Sequence, residues 1–176
     1  MTDLARRIHE RAHIAGHFTL RSGATSTQYF DKYLFESDPA LLTEIAAAMA
    51  ERLAAELGDA DALAGLELGG VPLAVALSQR TGLPTLFVRK EAKTYGTCKL
   101  AEGGDVDGRR LLVVEDVVTS GGQVLASVGE LRDRGALVET VACVIDREAG
   151  GPEALAAAGL QLRALFTMTE LNAAAA

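Results

Sequence analysis

Apolar residues at Leu4, Ile8, Ala12 and Ala15 recur every three to four positions and predict a helix over residues 3–15. The period then changes. His17 to Gly23 reads as a strand running into a turn, and Thr27 to Tyr33 is aromatic and extended, so the two predict a small hairpin-like unit. Ser37-Asp38-Pro39 opens the next helix: either polar side chain can cap it, and proline fits the first turn, where its missing N–H costs nothing. That helix is expected to run to about Leu57 and to end at Gly58.

Beyond it, short unbroken apolar runs alternate with helical stretches. Strands are expected at 62–68, 85–88, 111–114, 138–145 and 160–166, and helices at 72–80, 122–134 and 152–158. Continuous apolar strands separated by helices imply strands buried on both faces. The expected fold class is therefore α/β, a mostly parallel central sheet flanked by helices. Residues 90–108 are polar and glycine-rich without an apolar period, and a loop of that length in a compact domain usually serves function. The Ala173–Ala176 tail is expected to fray.

The chain has 176 residues, enough for one domain with a self-sufficient core, and its 49% hydrophobic and 23% charged content is ordinary for a globular protein. A net charge of -7 argues against nucleic acid as a partner. Neither Cys98 nor Cys143 has a CxxC neighbour, so a metal site or disulfide frame is not expected, and a reduced, cytoplasmic protein is. No run approaches the length of a membrane span. His9, His13 and His17 recur every four residues, a spacing that resembles metal ligation, but no nearby acidic motif supports it. Usage of cations is uneven: of 13 arginines and 4 lysines, Lys90, Lys93 and Lys99 fall within one ten-residue stretch. That cluster points to a lid that handles anions.

The strongest chemical signal runs from Leu111 to Gln123. A buried strand ends in two carboxylates, Glu115 and Asp116, followed by a turn of small hydroxyl and glycine residues and then a helix. Ligands of open α/β sheets bind at the carboxyl ends of strands. A turn leading into a helix N-terminus presents backbone N–H groups to phosphate, and glycines let the ligand approach closely. Two acids beside such a turn would repel phosphate and should face ribose hydroxyls or a metal. Both features together suit a sugar phosphate, and a plain helix cap needs neither two acids nor two glycines.

This segment resembles the signature of type I phosphoribosyltransferases. The resemblance implies that fold, with a small N-terminal hood: helix and hood in residues 1–36, and a core in 37–176 with a mobile loop at 90–108. It implies that Glu115 and Asp116 hold the ribose hydroxyls. Val117, Val118, Thr119, Ser120, Gly121, Gly122 and Gln123 would cradle the 5-phosphate of phosphoribosyl pyrophosphate. Other segments are similar to the orotate phosphoribosyltransferases. Phe18 to Gly23 followed by Tyr29-Phe30-Asp31-Lys32 resembles their hood, Arg89 to Lys93 the start of their catalytic loop, and Asp146-Arg147 their orotate-contacting arginine. On that likeness Arg89, Lys90, Lys93 and Asp116 are catalytic. Arg21, Gly69 and Gly70 bind phosphoribosyl pyrophosphate, and Tyr29, Phe30, Thr119 and Arg147 bind orotate. An aromatic face and a planar cation suit a flat carboxylated pyrimidine.

Two segments depart from the family. Leu68 and Gly69 stand where many relatives have an aromatic residue and a lysine in the pyrophosphate turn, and Tyr95 stands where many have a histidine. The activity so implied is Mg²⁺-dependent transfer of phosphoribosyl to orotate in pyrimidine synthesis, by a homodimer with shared sites and the metal held mainly by substrate. Transfer to another base, or a ligand-sensing regulator without turnover, are the alternatives.

Overall fold

The computed structural model describes residues 1–19, 23, 25–91 and 100–176. Helix α1 (Thr2–Ala12) leads straight into β1 (His13–Thr19), which pairs antiparallel with β2 (Thr25–Phe30). The predicted first helix thus ends three residues early, and Ala15 lies in a strand. Three helices follow: α2 (Lys32–Glu36), α3 (Pro39–Arg52) and α4 (Ala54–Asp59). Asp38 caps α3 by accepting from the N–H groups of Ala40 and Leu41, both at 3.1 Å. The single helix expected through Leu57 is broken at Leu53, whose ψ of 18° leaves the helical range, and Gly58 lies inside α4.

The rest alternates: β3 (Ala62–Leu66), α5 (Gly70–Thr81), β4 (Thr85–Val88), β5 (Ala101–Glu102), β6 (Leu111–Val118), α6 (Gly122–Arg132), β7 (Thr140–Asp146), α7 (Gly151–Ala157), β8 (Gln161–Thr167) and α8 (Met168–Ala174). Six strands form one sheet in the order β5-β4-β3-β6-β7-β8. All neighbours are parallel except β5, which runs antiparallel to β4. The α/β expectation therefore holds, with a mostly parallel central sheet between helical layers.

Two apolar clusters sandwich that sheet. One joins Ile45, Leu63, Leu77 and Val144 with Leu4, Ile8 and Ala12 of α1, so the first helix is part of the main core and only the β1–β2 hairpin stands outside the central sheet. The other joins Ala64, Val113, Val128, Leu131 and Cys143 on the opposite face. Within the stretch expected to be a featureless loop, Leu100, Ala101 and Val106 are buried, so its second half is anchored to the sheet edge. The tail is ordered as well: Thr167 accepts from Glu170 N–H at 3.1 Å while the Glu170 carboxylate accepts from Thr167 N–H at 2.7 Å, a reciprocal cap that starts α8. No helix among the described residues is long and apolar enough to cross a membrane.

Candidate active site

Strand β6 runs four residues further than its apolar core suggests, because Glu115 to Val118 keep pairing with Cys143 to Asp146 of β7. Its C-terminal end, the turn after it and the start of α6 line a cavity of about 360 Å³. Val117 to Val124 form one wall, and Glu67, Leu68, Lys90, Glu115, Lys32 and Tyr33 complete it. Gly121 makes the turn with φ of 78°, a conformation that side chains resist, and precedes the first turn of α6. The first N–H groups of a helix have no intrahelical acceptor, so this corner is suited to phosphate oxygens.

A second turn approaches from β3. The Glu67–Leu68 peptide is cis, and Gly69 and Gly70 lie buried against the acids of β6. A methyl group on Gly69 would overlap Asp116 Oδ2 and lie 2.7 Å from Glu36 Oε1. On Gly70 it would overlap the carbonyl of Val114. Both glycines are there because carboxylates and strand backbone fill the space that side chains would need.

The two acids of β6 differ sharply. Glu115 lines the cavity, whereas Asp116 is 0% exposed and lies behind it. Lys32, 84 residues away in sequence, reaches over Asp116 and donates to its Oδ1 at 2.8 Å, with Oδ2 2.6 Å away in the same ion pair. Glu36, one helical turn beyond Lys32, is also buried. Burial pushes the Glu36 carboxyl up to about 8, helped by hydrogen bonding to Asp116 and by its negative charge. Glu115 is likewise raised well above the ordinary carboxylate range, first by burial and then by the charge of Asp116. Burial works against the Asp116 carboxylate too, but hydrogen bonds from Glu115, Glu36 and Lys32 outweigh it and hold that carboxyl low. In Lys32 burial opposes the charge, and the bond to Asp116 restores and exceeds it. Burial thus works against charge on Glu36 and Glu115, while the Lys32–Asp116 pair supports its own charges.

Several expected site residues come together here: Glu115, Val117 to Gln123 and Lys90 line the cavity, and Gly69 and Gly70 back it. Others do not. Phe30 is partly buried against the core beside Phe35, their rings 6.5 Å apart, and does not line the cavity. Tyr29 is exposed and lies beside Phe18, the two rings tilted with centres 5.4 Å apart, and it is not among the cavity-lining residues. Arg147 is exposed at the end of β7, its N–H bonded to the Val118 carbonyl at 2.9 Å, and it does not line the cavity either. Arg89 has its N–H on Leu100 O at 3.0 Å, and its buried Nε has no hydrogen-bond partner among the described residues. Arg21, Lys93 and Tyr95 lie outside the described residues. Sequence reasoning placed Lys32 in the hood motif without a role in the site, and missed Tyr33 and Glu36. One signal was present: Lys32 is the fourth lysine of a chain whose other three cluster at 90–99. His9 and His13 stack at 4.9 Å, and no group of metal-ligating side chains was found among the described residues.

Comparison with known proteins agrees with this geometry. The phosphoribosyl transferase domain family matches residues 35–158. An orotate phosphoribosyltransferase of Nocardioides sp. is 52% identical over 97% of this chain and 94% of its own length. One from Halobacterium salinarum is 48% identical over 89% of this chain and 87% of its own. Among solved structures, the Mycobacterium tuberculosis orotate phosphoribosyltransferase in complex with inorganic phosphate superposes with a TM-score of 0.86 at 32% identity, covering 97% of both chains. The same enzyme in complex with phosphoribosyl pyrophosphate gives 0.82 at 32% identity, covering 97% of this chain and 98% of that one.

Proposed function

The chain belongs to the phosphoribosyl transferase domain family, and we propose that it transfers the phosphoribosyl group of phosphoribosyl pyrophosphate to orotate, giving orotidine 5-phosphate and pyrophosphate for pyrimidine synthesis. The observation that carries this reading is the wall Val117–Val124: a glycine turn and helix start at the end of a central strand, beside a carboxylate facing the same cavity. That pairing suits a molecule with both a phosphate and sugar hydroxyls.

The chemistry is substitution at the anomeric carbon. A nitrogen of the orotate anion forms the new bond, the bond to the pyrophosphate oxygen breaks, and its electron pair leaves with pyrophosphate. No protein nucleophile is required. The chain's task is to position the two reactants and stabilise the charge that develops. In this reading the Gly121–Gln123 corner holds the 5-phosphate and Glu115 faces the ribose hydroxyls. Glycines 69 and 70 let the pyrophosphate approach the backbone, and Lys90, with Arg89 and Lys93, neutralises it. Thr119 and Arg147 stand on the orotate side. Magnesium would be held mainly by oxygens of the substrate, in a cavity whose lining includes the acids Glu67 and Glu115, the oxygen-bearing residue type Mg²⁺ takes. When bound on the pyrophosphate it would draw charge from the leaving group. The reading includes a homodimer that shares loop residues across its interface and works in the cytoplasm.

A steady-state assay tests it. Purified protein with phosphoribosyl pyrophosphate and Mg²⁺ should consume orotate and release equimolar pyrophosphate, and activity should vanish with excess chelator. Turnover with adenine, hypoxanthine or uracil but not orotate would refute the choice of base.

A further inference from the structure

Substrate carrying a pyrophosphate needs cations at the 67–70 turn, yet none of Glu67, Leu68, Gly69 and Gly70 is cationic. A side chain at Gly69 would have to displace Asp116 and Glu36, which occupy the space it would take. Among the described residues lining the cavity, the cations are Lys90 and Lys32. Lys32 is held there from two sides. Its ammonium spans both oxygens of Asp116 and lies 5.3 Å from the ring centre of Tyr33. Its side chain remains 34% exposed while Asp116 is wholly buried. Helix α2 is fixed in turn: Asp31 caps it by accepting from Tyr33 N–H at 3.1 Å and is itself tied to Ala12 O at 2.8 Å.

We propose that Lys32 is a substrate-contacting residue that supplies the cation missing from the 67–70 turn, and that Asp116 is a positioning residue acting through it. A carboxylate with no exposed surface, whose Oδ1 accepts from the Lys32 ammonium at 2.8 Å, is placed to aim it. Lys32 lines the cavity with part of its side chain exposed, so its ammonium is open to pyrophosphate oxygens there. This rests on the phosphoribosyl-transfer reading and deepens it: the substrate part recognised is the pyrophosphate, not the base.

The test is inorganic pyrophosphate binding by calorimetry, with orotate binding and steady-state kinetics alongside, for the parent, Lys32→Met, Lys32→Arg and Asp116→Asn. Lys32→Met should weaken pyrophosphate binding, and raise KM for phosphoribosyl pyrophosphate, by about tenfold or more, while orotate affinity stays within twofold. Lys32→Arg should recover part of the loss. Asp116→Asn should weaken pyrophosphate binding less, and its effect should disappear in the Lys32→Met background. Unchanged pyrophosphate affinity in Lys32→Met, or an equal loss for pyrophosphate and orotate, overturns the proposal. A measurement on the parent needs no variant to fold: reductive methylation read by peptide mass spectrometry should be slowed at Lys32 by pyrophosphate. Equal methylation with and without it also overturns the proposal. A parent that binds neither pyrophosphate nor phosphoribosyl pyrophosphate refutes the functional reading itself. A parent that binds both while Lys32→Met behaves identically refutes only the role of Lys32.

Discussion

Replacing each glycine of the 69–70 pair by alanine should damage two different properties. At Gly70 the added carbon would lie 3.1 Å from the carbonyl carbon of Val114 and closer still to its oxygen. Comfortable carbon–carbon contact is about 3.5–4.0 Å. The obstacle is the backbone of the central strand β6, paired on both sides, so neither partner can swing away. Overpacking of this kind costs up to ~3 kcal/mol. For a chain of this size each kcal/mol moves Tm by roughly 2–4 °C, so Gly70→Ala should lower Tm by about 6–12 °C. At Gly69 the obstacles are the side chains of Asp116 and Glu36, which can rotate. Gly69→Ala should therefore lose less Tm but break the Lys32–Asp116 arrangement. A charge-assisted hydrogen bond is worth roughly 1.5–3 kcal/mol, so kcat/KM should fall about tenfold or more. Thermal unfolding by circular dichroism and steady-state kinetics, measured on both variants in one buffer, give the two readouts. The reasoning fails if Gly70→Ala unfolds within about 2 °C of the parent, or if Gly69→Ala keeps the parental kcat/KM.

Glu36 should make stability depend on pH: its carboxyl is raised from 4.5 to about 8, so the stability it contributes is complete below the lower value and is lost as pH rises through the higher one. Glu36→Gln should flatten the profile of Tm against pH across that window, and an unaltered profile would show that another group sets it. Mixing refolded Lys93→Ala and Asp116→Ala subunits should restore activity if sites are shared, whereas verified heterodimers without activity would place Lys93 in its own subunit. Thr167→Ala removes one half of the reciprocal cap on α8, worth about 1 kcal/mol, and should lower Tm by ~2–4 °C, with no measurable shift counting against the cap. Cys143 is fully buried and its thiol is pushed far up by burial, so a thiol reagent should label it only on unfolding, and rapid labelling of the native protein would contradict that packing.

The central strands were legible because strands buried on both faces are written as unbroken apolar runs, as in Leu111 to Val114 and Val141 to Ile145. The same rule hid the last half of β6. Glu115 and Asp116 look like the end of a strand, and only their pairing with β7 and the ammonium of Lys32 lets carboxylates continue inside the sheet. Local periodicity could not reveal that pair, because its members come from distant parts of the chain. The aromatic hood was half legible: Tyr29 and Phe30 stood out as neighbours, but strand alternation turns Phe30 towards the core, and Tyr33 at the start of α2 reaches the cavity instead. The order of the tail was readable in principle from Thr167 and Glu170, three residues apart, but the run of alanines after them read as fraying.

The antiparallel pairing at the sheet edge has a consequence for how this chain can vary. Val88 lies opposite Ala101, and the N–H of Arg89 is bonded to the carbonyl of Leu100 at 3.0 Å. The polypeptide therefore leaves the sheet at Arg89 and is back on it at Leu100, two positions clasped by one backbone hydrogen bond. Closing the connection between them depends only weakly on its length, about 0.6 kcal/mol for each doubling. Residues can thus be inserted, deleted or recharged there while β3, β4 and β6 keep their register. The strands beside it do not share that freedom, because most of their side chains pack into the two apolar clusters.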